Sequence, residues 1–153
     1  MTAVNSIRHI YKTAGWSYDE NEFQDERASQ EHSVLLENDL EVSFHPLSRE
    51  EFLIYANIFE LAPDNPQDND QRLRHLSKLI LKINSEYSVA SSVTGGWFRF
   101  ELYINSAILE NDQICYLLQL FLNDCDFLIS ENKELSHSFG NIFNNIPIGF
   151  LMN

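Results

Sequence analysis

Residues 33–62 read SVLLENDLEVSFHPLSREEFLIYANIFELA, and this stretch decides the fold. Leu40, Val42 and Phe44 alternate with Glu41, Ser43 and His45, the two-residue period of a half-buried strand. Before them, residues 33–36 favour a strand, and Asn38 with Asp39 supplies a turn. Pro46 marks a strand end or an edge, because it has no N–H to give to a ladder. Further on, Phe52, Ile54, Ala56 and Ile58 share one face, and Leu53, Tyr55, Asn57 and Phe59 the other. The first face is wholly apolar and the second mixed, which predicts a sheet covered on both sides. Three antiparallel strands in a meander follow from these patterns.

Working outward, Val4, Ile7, Ile10, Tyr11 and Ala14 fall on one helical face, and Gly15 ends that pattern. Residues 15–32 form a polar insert, dense in Asp and Glu, with Tyr18 and Phe23 as its large apolar groups after Trp16. It reads equally as a solvated segment or a second short helix. After the meander, APDNPQDND reads as a loop, with Asp70 available to cap the helix QRLRHLSKLILKINSEY. Leu73, Leu76, Ile80 and Ile83 form its apolar stripe, widened by Leu79. Arg74, Lys78 and Lys82 line the other side and, with Arg72, place four of the chain's 10 basic residues on this helix. They read as a solvated face or as a partner-facing stripe. Gly95 and Gly96 sit between strand-favouring runs, a two-residue hairpin signal. Ile114, Leu117, Leu118, Phe121, Leu122, Cys125, Leu128 and Ile129 then recur at three- and four-residue steps. They predict a last helix, capped by Asn111 or Asp112 and ending near Ser130. The apolar tail FGNIFNNIPIGFLMN contains Gly, Asn and Pro and predicts an extended arm rather than a helix.

The fold class is therefore α+β: helix, three antiparallel strands, helix, β-hairpin, helix, with a twisted antiparallel sheet on which the helices pack. One domain spans 1–153, with a core at 33–130, the insert at 15–32 and an apolar extension at 131–153. The 44% hydrophobic content, with 11 Phe, excludes a disordered acidic chain. A net charge of −13 opposes nucleic acid and anionic lipid as partners. Residues 1–16 lack the apolar core of a signal peptide, and no run reaches the ~18 apolar residues of a membrane span. The expected location is the cytoplasm.

No chemistry stands out. His9, His32, His45, His75 and His137 have no HxxxH or HExxH spacing. Asp64, Asp68 and Asp70 lack the glycine and terminal glutamate of a calcium loop. Asp124 and Asp126 flank Cys125, but two helical steps turn them about 200° apart. Cys115 and Cys125 stand ten residues apart, about 15 Å on a helix, too far for a disulfide. Neither sits where a helix N-terminus would activate it. No metal, no cofactor and no enzymatic activity are expected.

The order of elements, the length and the acidity resemble the class I chaperones of bacterial type III secretion, the Tir-chaperone group. The residues that carry the resemblance are SVLLENDLEVSFHPL, FLIYANIFELAP, LRHLSKLILKIN, GGWFRFELYIN and ICYLLQLFLNDCDFLI. In that group a short strand with an acidic turn leads to a third strand ending near a proline. Here Leu36 to Asp39, then Leu61, Ala62 and Pro63, fill those places. The group's leucine-rich helix closing on Asn is matched by Leu76 to Asn84. Residues 15–32 and 131–153 depart from the pattern.

The resemblance implies a cytoplasmic homodimer that binds the N-terminal region of a secreted effector in extended form and keeps it export-competent. It implies a dimer seam at the second helix and the next strand: Leu73, Leu76, Ile80, Ile83, Val89 and Val93. It further implies hydrophobic grooves on the first helix and early strands: Ile7, Ile10, Tyr11, Val34, Leu36, Phe44 and Phe52. Each of these residues is equally a candidate for the core. Delivery to the secretion ATPase or its sorting machinery would follow. The competing readings are a YbjN-like adaptor of the same architecture and an acidic inhibitor or nucleic-acid mimic.

Overall fold

A computed structural model describes residues 1–24 and 30–144, with side chains through residue 136. Helix α1 (Ala3–Ala14) is started by Thr2, whose Oγ1 accepts the Asn5 N–H, and stopped by Gly15 at φ 74°. That left-handed conformation is one glycine adopts without a Cβ penalty. Strands β1 (His32–Leu35), β2 (Glu41–Pro46) and β3 (Glu51–Glu60) follow as a meander. Helix α2 (Pro66–Ile83) leads to the hairpin β4 (Val89–Thr94) and β5 (Trp97–Asn105), and helix α3 (Asn111–Asn144) follows. The hairpin turns at Gly95 and Gly96, with φ 59° and 80°. The fold class is the one the sequence predicts.

The five strands lie in the order β1-β2-β3-β5-β4, all neighbours antiparallel. One sheet face carries Val42, Phe44, Phe52, Ile54, Ala56, Phe98, Phe100, Leu102 and Ile104. These join Ile7, Ile10, Leu76, Ile80, Ile114, Phe121 and Leu128 of the helices in a single core. Phe100 stacks on Phe121 with ring centroids 4.7 Å apart. Each such phenylalanine, fully buried, contributes about 1.5–3 kcal/mol through apolar area alone.

The structure corrects five expectations. First, among the described residues the sheet is helix-covered on one face only: the helices' buried apolar residues belong to the one core. The other face is polar and covers itself, with Arg99 Cζ 3.7 Å from the centroid of the Tyr55 ring, and Glu101 and Glu51 accepting from Ser92 and Tyr103. Second, Phe59 does not lie on the mixed face. The register slips between Asn57 and Phe59, and Phe59 pairs with Phe98 on the core face. One extra residue in a strand inverts every later side chain.

Third, α2 begins at Pro66 rather than after Asp70. The Asn65 Oδ1 accepts the Asp68 N–H at 3.2 Å, and Pro66 takes the first turn, where its missing N–H is harmless. Fourth, α3 is not capped by the side chain of Asn111 or Asp112. Gln113 Oε1 instead reaches back to the Glu110 N–H at 2.9 Å, half of a capping box. Fifth, α3 does not end near Ser130 but continues to Asn144. The expected extended arm is therefore helical as far as Asn144, and residues 145–153 lie outside the described residues.

Over residues 131–136, polar contacts tie α3 to α2. Arg72 Nη1 donates to Asn132 O and Oδ1 at 3.0 and 2.7 Å, and Nη2 donates to Ser136 Oγ at 2.8 Å. The His75 ring nitrogen lies 3.0 Å from Glu131 Oε2. Within the insert, Glu20–Phe23 forms a short 3-10 turn capped by Asp19. Phe23 stacks on buried His32 at 4.4 Å.

Candidate functional site

A groove opens between α1 and α3. Ile10, Thr13, Ala14 and Trp16 form one wall, and Cys115, Leu118, Gln119 and Leu122 the other, around about 280 Å³. Periodicity positions both walls. Ile10 follows the apolar stripe of α1, while Cys115 and Leu122 sit on the shoulder of the α3 stripe, half-buried beside buried Leu118. Trp16 is held at the end of the groove by an edge contact with Tyr11, with ring centroids 5.4 Å apart. Tyr11 itself is the hub of an aromatic cluster with Trp16, Tyr18, Phe23 and Phe44. Burial, with Glu22 nearby, pushes its phenol up to about 12. Among the described residues its hydroxyl has no hydrogen-bond partner.

The groove carries no reactive group. Burial, then Asp112, raises the Cys115 thiol above its ordinary value, with Thr13 opposing. Cys125 is fully buried, and both cysteines are free. Among the described residues no cluster of three or more His, Cys, Asp or Glu is placed to hold a metal ion. No helix among them is long and apolar enough to cross a membrane. With Thr13 and Gln119 beside its apolar walls, the groove can take a segment that carries both apolar and polar groups.

The two sheet edges differ in kind. On β1, Val34 points to the core face and is half-buried, while Leu35 points away and is 67% exposed. β4 is the opposite edge, and its sequence VASSVT has no charge and no proline. An edge without those devices is open to pairing with another strand. Val93 on β4 is 55% exposed and Leu81 on α2 is 71% exposed.

Of the expected groove residues, Ile7, Ile10, Tyr11, Phe44 and Phe52 are buried in the chain's own core. Of these, Ile10 also lines the groove. Val34 and Leu36 are half-buried at the β1 side. Of the expected seam residues, Leu76, Ile80 and Val89 are buried, Leu73 and Ile83 are half-buried, and Val93 is exposed. The sequence reading missed Trp16, Cys115, Leu118 and Leu122 as groove walls, and Leu81. The first four join only when α1 and α3 meet. Leu81 carried its own signal, a large apolar residue off the α2 stripe.

No protein-family model matches this sequence, and no curated protein matches it. The fold, however, is that of the type III secretion chaperones. A chain of the ExsC–ExsE complex superposes with a TM-score of 0.57 at 16% identity, covering 85% of this chain and 96% of that one. A chain from the Yersinia pestis secretion chaperone SycH bound to a fragment of YscM2 gives 0.54 at 10% identity, covering 83% and 99%. A chain of the Pseudomonas aeruginosa ExoU–SpcU heterodimer gives 0.54 at 11%, covering 79% and 93%. At these identities the likeness establishes the fold.

Proposed function

We propose that this protein is a type III secretion chaperone, acting without nucleotide in the bacterial cytoplasm as a homodimer. Its ligand is the N-terminal segment of a secreted effector, bound in extended form and kept soluble for delivery to the secretion machinery. The observation that carries this reading is an open groove, lined by apolar side chains together with Thr13 and Gln119, on a chain with the secretion-chaperone fold. Apolar effector side chains enter the α1–α3 groove, and the effector backbone adds a strand beside Val34 and Leu36 on the free edge of β1. Ile7, Tyr11, Phe44 and Phe52 support this surface from beneath rather than touching the ligand. The charge of −13 keeps the loaded complex soluble and favours effector segments with basic residues.

The dimer seam runs along α2 and β4. Leu73, Leu81 and Val93 supply its contact, and the uncharged β4 edge faces its counterpart. Leu76, Ile80, Ile83 and Val89 hold that surface in place from the core side. The test is co-expression with the N-terminal segment of the secreted protein encoded beside it, for the parent chain and for Leu122→Asp. Soluble co-purification is expected for the parent and at least a tenfold weaker association for the variant. Equal co-purification would remove the groove from the account.

A further inference from the structure

The outer face of α2 carries charge opposite to that of the chain as a whole. Arg74, Lys78 and Lys82 are exposed and follow one another four residues apart, about 6 Å of rise per step. With 23 acids against 10 bases, the chain has carboxylates to spare for each of them. Arg8 and Lys12 share Glu20, and Arg72 takes Asp68. Among the described residues, however, no carboxylate lies within ion-pair distance of Arg74, Lys78 or Lys82. Asp70, the acid next along the stripe, makes no pair with Arg74 either.

The stripe also stays clear of the other two sides of α2. Leu76 and Ile80 enter the core from the opposite side of the helix. Leu73, Ser77 and Leu81 make the line proposed for the seam, and each cation stands one residue further on, about 100° round the helix. A closed seam therefore leaves the three cations facing solvent at its flank.

Charge decides the occupant. The net charge of −13 opposes any anion at long range, but about 0.15 M salt screens fields beyond about 8 Å. An anion at the stripe then feels the three cations and not the acids across the domain. The stripe is about 12 Å long, so a nucleic-acid duplex or an anionic bilayer runs past it onto acidic surface. A short acidic segment of a protein does not. We propose that Arg74, Lys78 and Lys82 dock an acidic segment of a second protein, with carboxylates about 6 Å apart, as glutamates four residues apart on a helix are. This surface is separate from the α1–α3 groove and takes a partner of the opposite charge to the segments proposed for that groove.

The test titrates the isotope-labelled full chain, in about 0.15 M salt, with a synthetic alanine-based helical peptide carrying glutamate at every fourth position. Saturable amide shifts are expected over residues 74–82, and their loss in about 1 M salt, where the screening length falls to about 3 Å. Glutamine in place of the glutamates should abolish them. Lys78→Glu should weaken the peptide at least fivefold, with the core amides of Leu76 and Phe100 unmoved as a check on the fold. The same reversal at exposed Arg49, in the turn between β2 and β3, should leave the affinity unchanged. No shifts over 74–82, an unchanged affinity in Lys78→Glu, or an equal loss in Arg49→Glu overturns the proposal. A DNA duplex or a phosphatidylserine vesicle that moves the same amides more strongly than the peptide also overturns it. No effector is present, so the outcome is independent of the chaperone reading.

Discussion

Arg72→Met removes the guanidinium that ties α2 to the far end of α3 while keeping most of the aliphatic stem. Three of its hydrogen bonds cross to Asn132 and Ser136, and a fourth, 2.8 Å from Nε to Asp68 Oδ2, stays within α2. The arginine side chain is 12% exposed, so the link is shielded without being dry. A fully buried charged bond would be worth ~1.5–3 kcal/mol, but Asn132 and Ser136 regain water when released. We therefore assign about 2 kcal/mol to the three crossing bonds together and ~0.3–0.5 kcal/mol to the pair with Asp68. Because these bonds sit at the far end of the part of α3 whose side chains are described, most of that loss appears as local opening rather than global unfolding. Native-state hydrogen exchange should show amides of residues 132–136 exchanging about 30-fold faster, the factor that 2 kcal/mol represents. Amides at Leu118 and Phe121 should change far less. Unchanged exchange at 132–136, or an equal acceleration along all of α3, would refute the tether.

Four further outcomes follow from changes to named side chains. Tyr11→Phe removes a buried hydroxyl that has no partner among the described residues and should stabilise by about 1 kcal/mol. Tyr87→Phe deletes a 2.6 Å bond to Asp124 and should destabilise by about 1–2 kcal/mol; urea unfolding that gives both changes the same sign would contradict this. His32 is held below its ordinary value of 6.5 by burial, with Glu22 opposing. Its folded form therefore binds fewer protons, so its contribution is full above pH 6.5 and declines as pH falls below it. His32→Gln should flatten that decline in urea midpoints, and an unchanged slope would remove His32 from the account. Leu81→Glu and Val93→Lys place charges on exposed seam positions and should give a folded chain of monomer mass by light scattering. A retained dimer mass would move the seam elsewhere.

Much of the fold lies open in the sequence because burial on one sheet face imposes a strict period. Leu40, Val42 and Phe44 sit on the core face as their alternation requires, and Gly95 with Gly96 makes the turn their conformational freedom suits. The same rule fails at Phe59, since alternation carries no mark for the register slip before it. It fails again just beyond Ser130, where residues 131–134 are all polar and bonds from Arg72 on α2 meet the helix at Asn132 and Ser136. The start of α2 was legible as an Asn-Pro cap but was hidden in a segment that reads as loop. Site residues were less legible than elements. Ile7, Phe44 and Phe52 are apolar whether they line a groove or fill a core, and their burial separates the two. The groove walls come from residues about a hundred positions apart, a proximity that no local pattern contains.

The central claim, that this chain holds an effector segment as a dimer, is tested most directly by the mass of the loaded complex. The chain is co-expressed with the N-terminal segment of the neighbouring secreted protein, and the product is measured by size exclusion with light scattering. The expected mass is that of two copies of this 17.8 kDa chain plus one effector segment. A 17.8 kDa monomer that elutes without the segment would contradict the account.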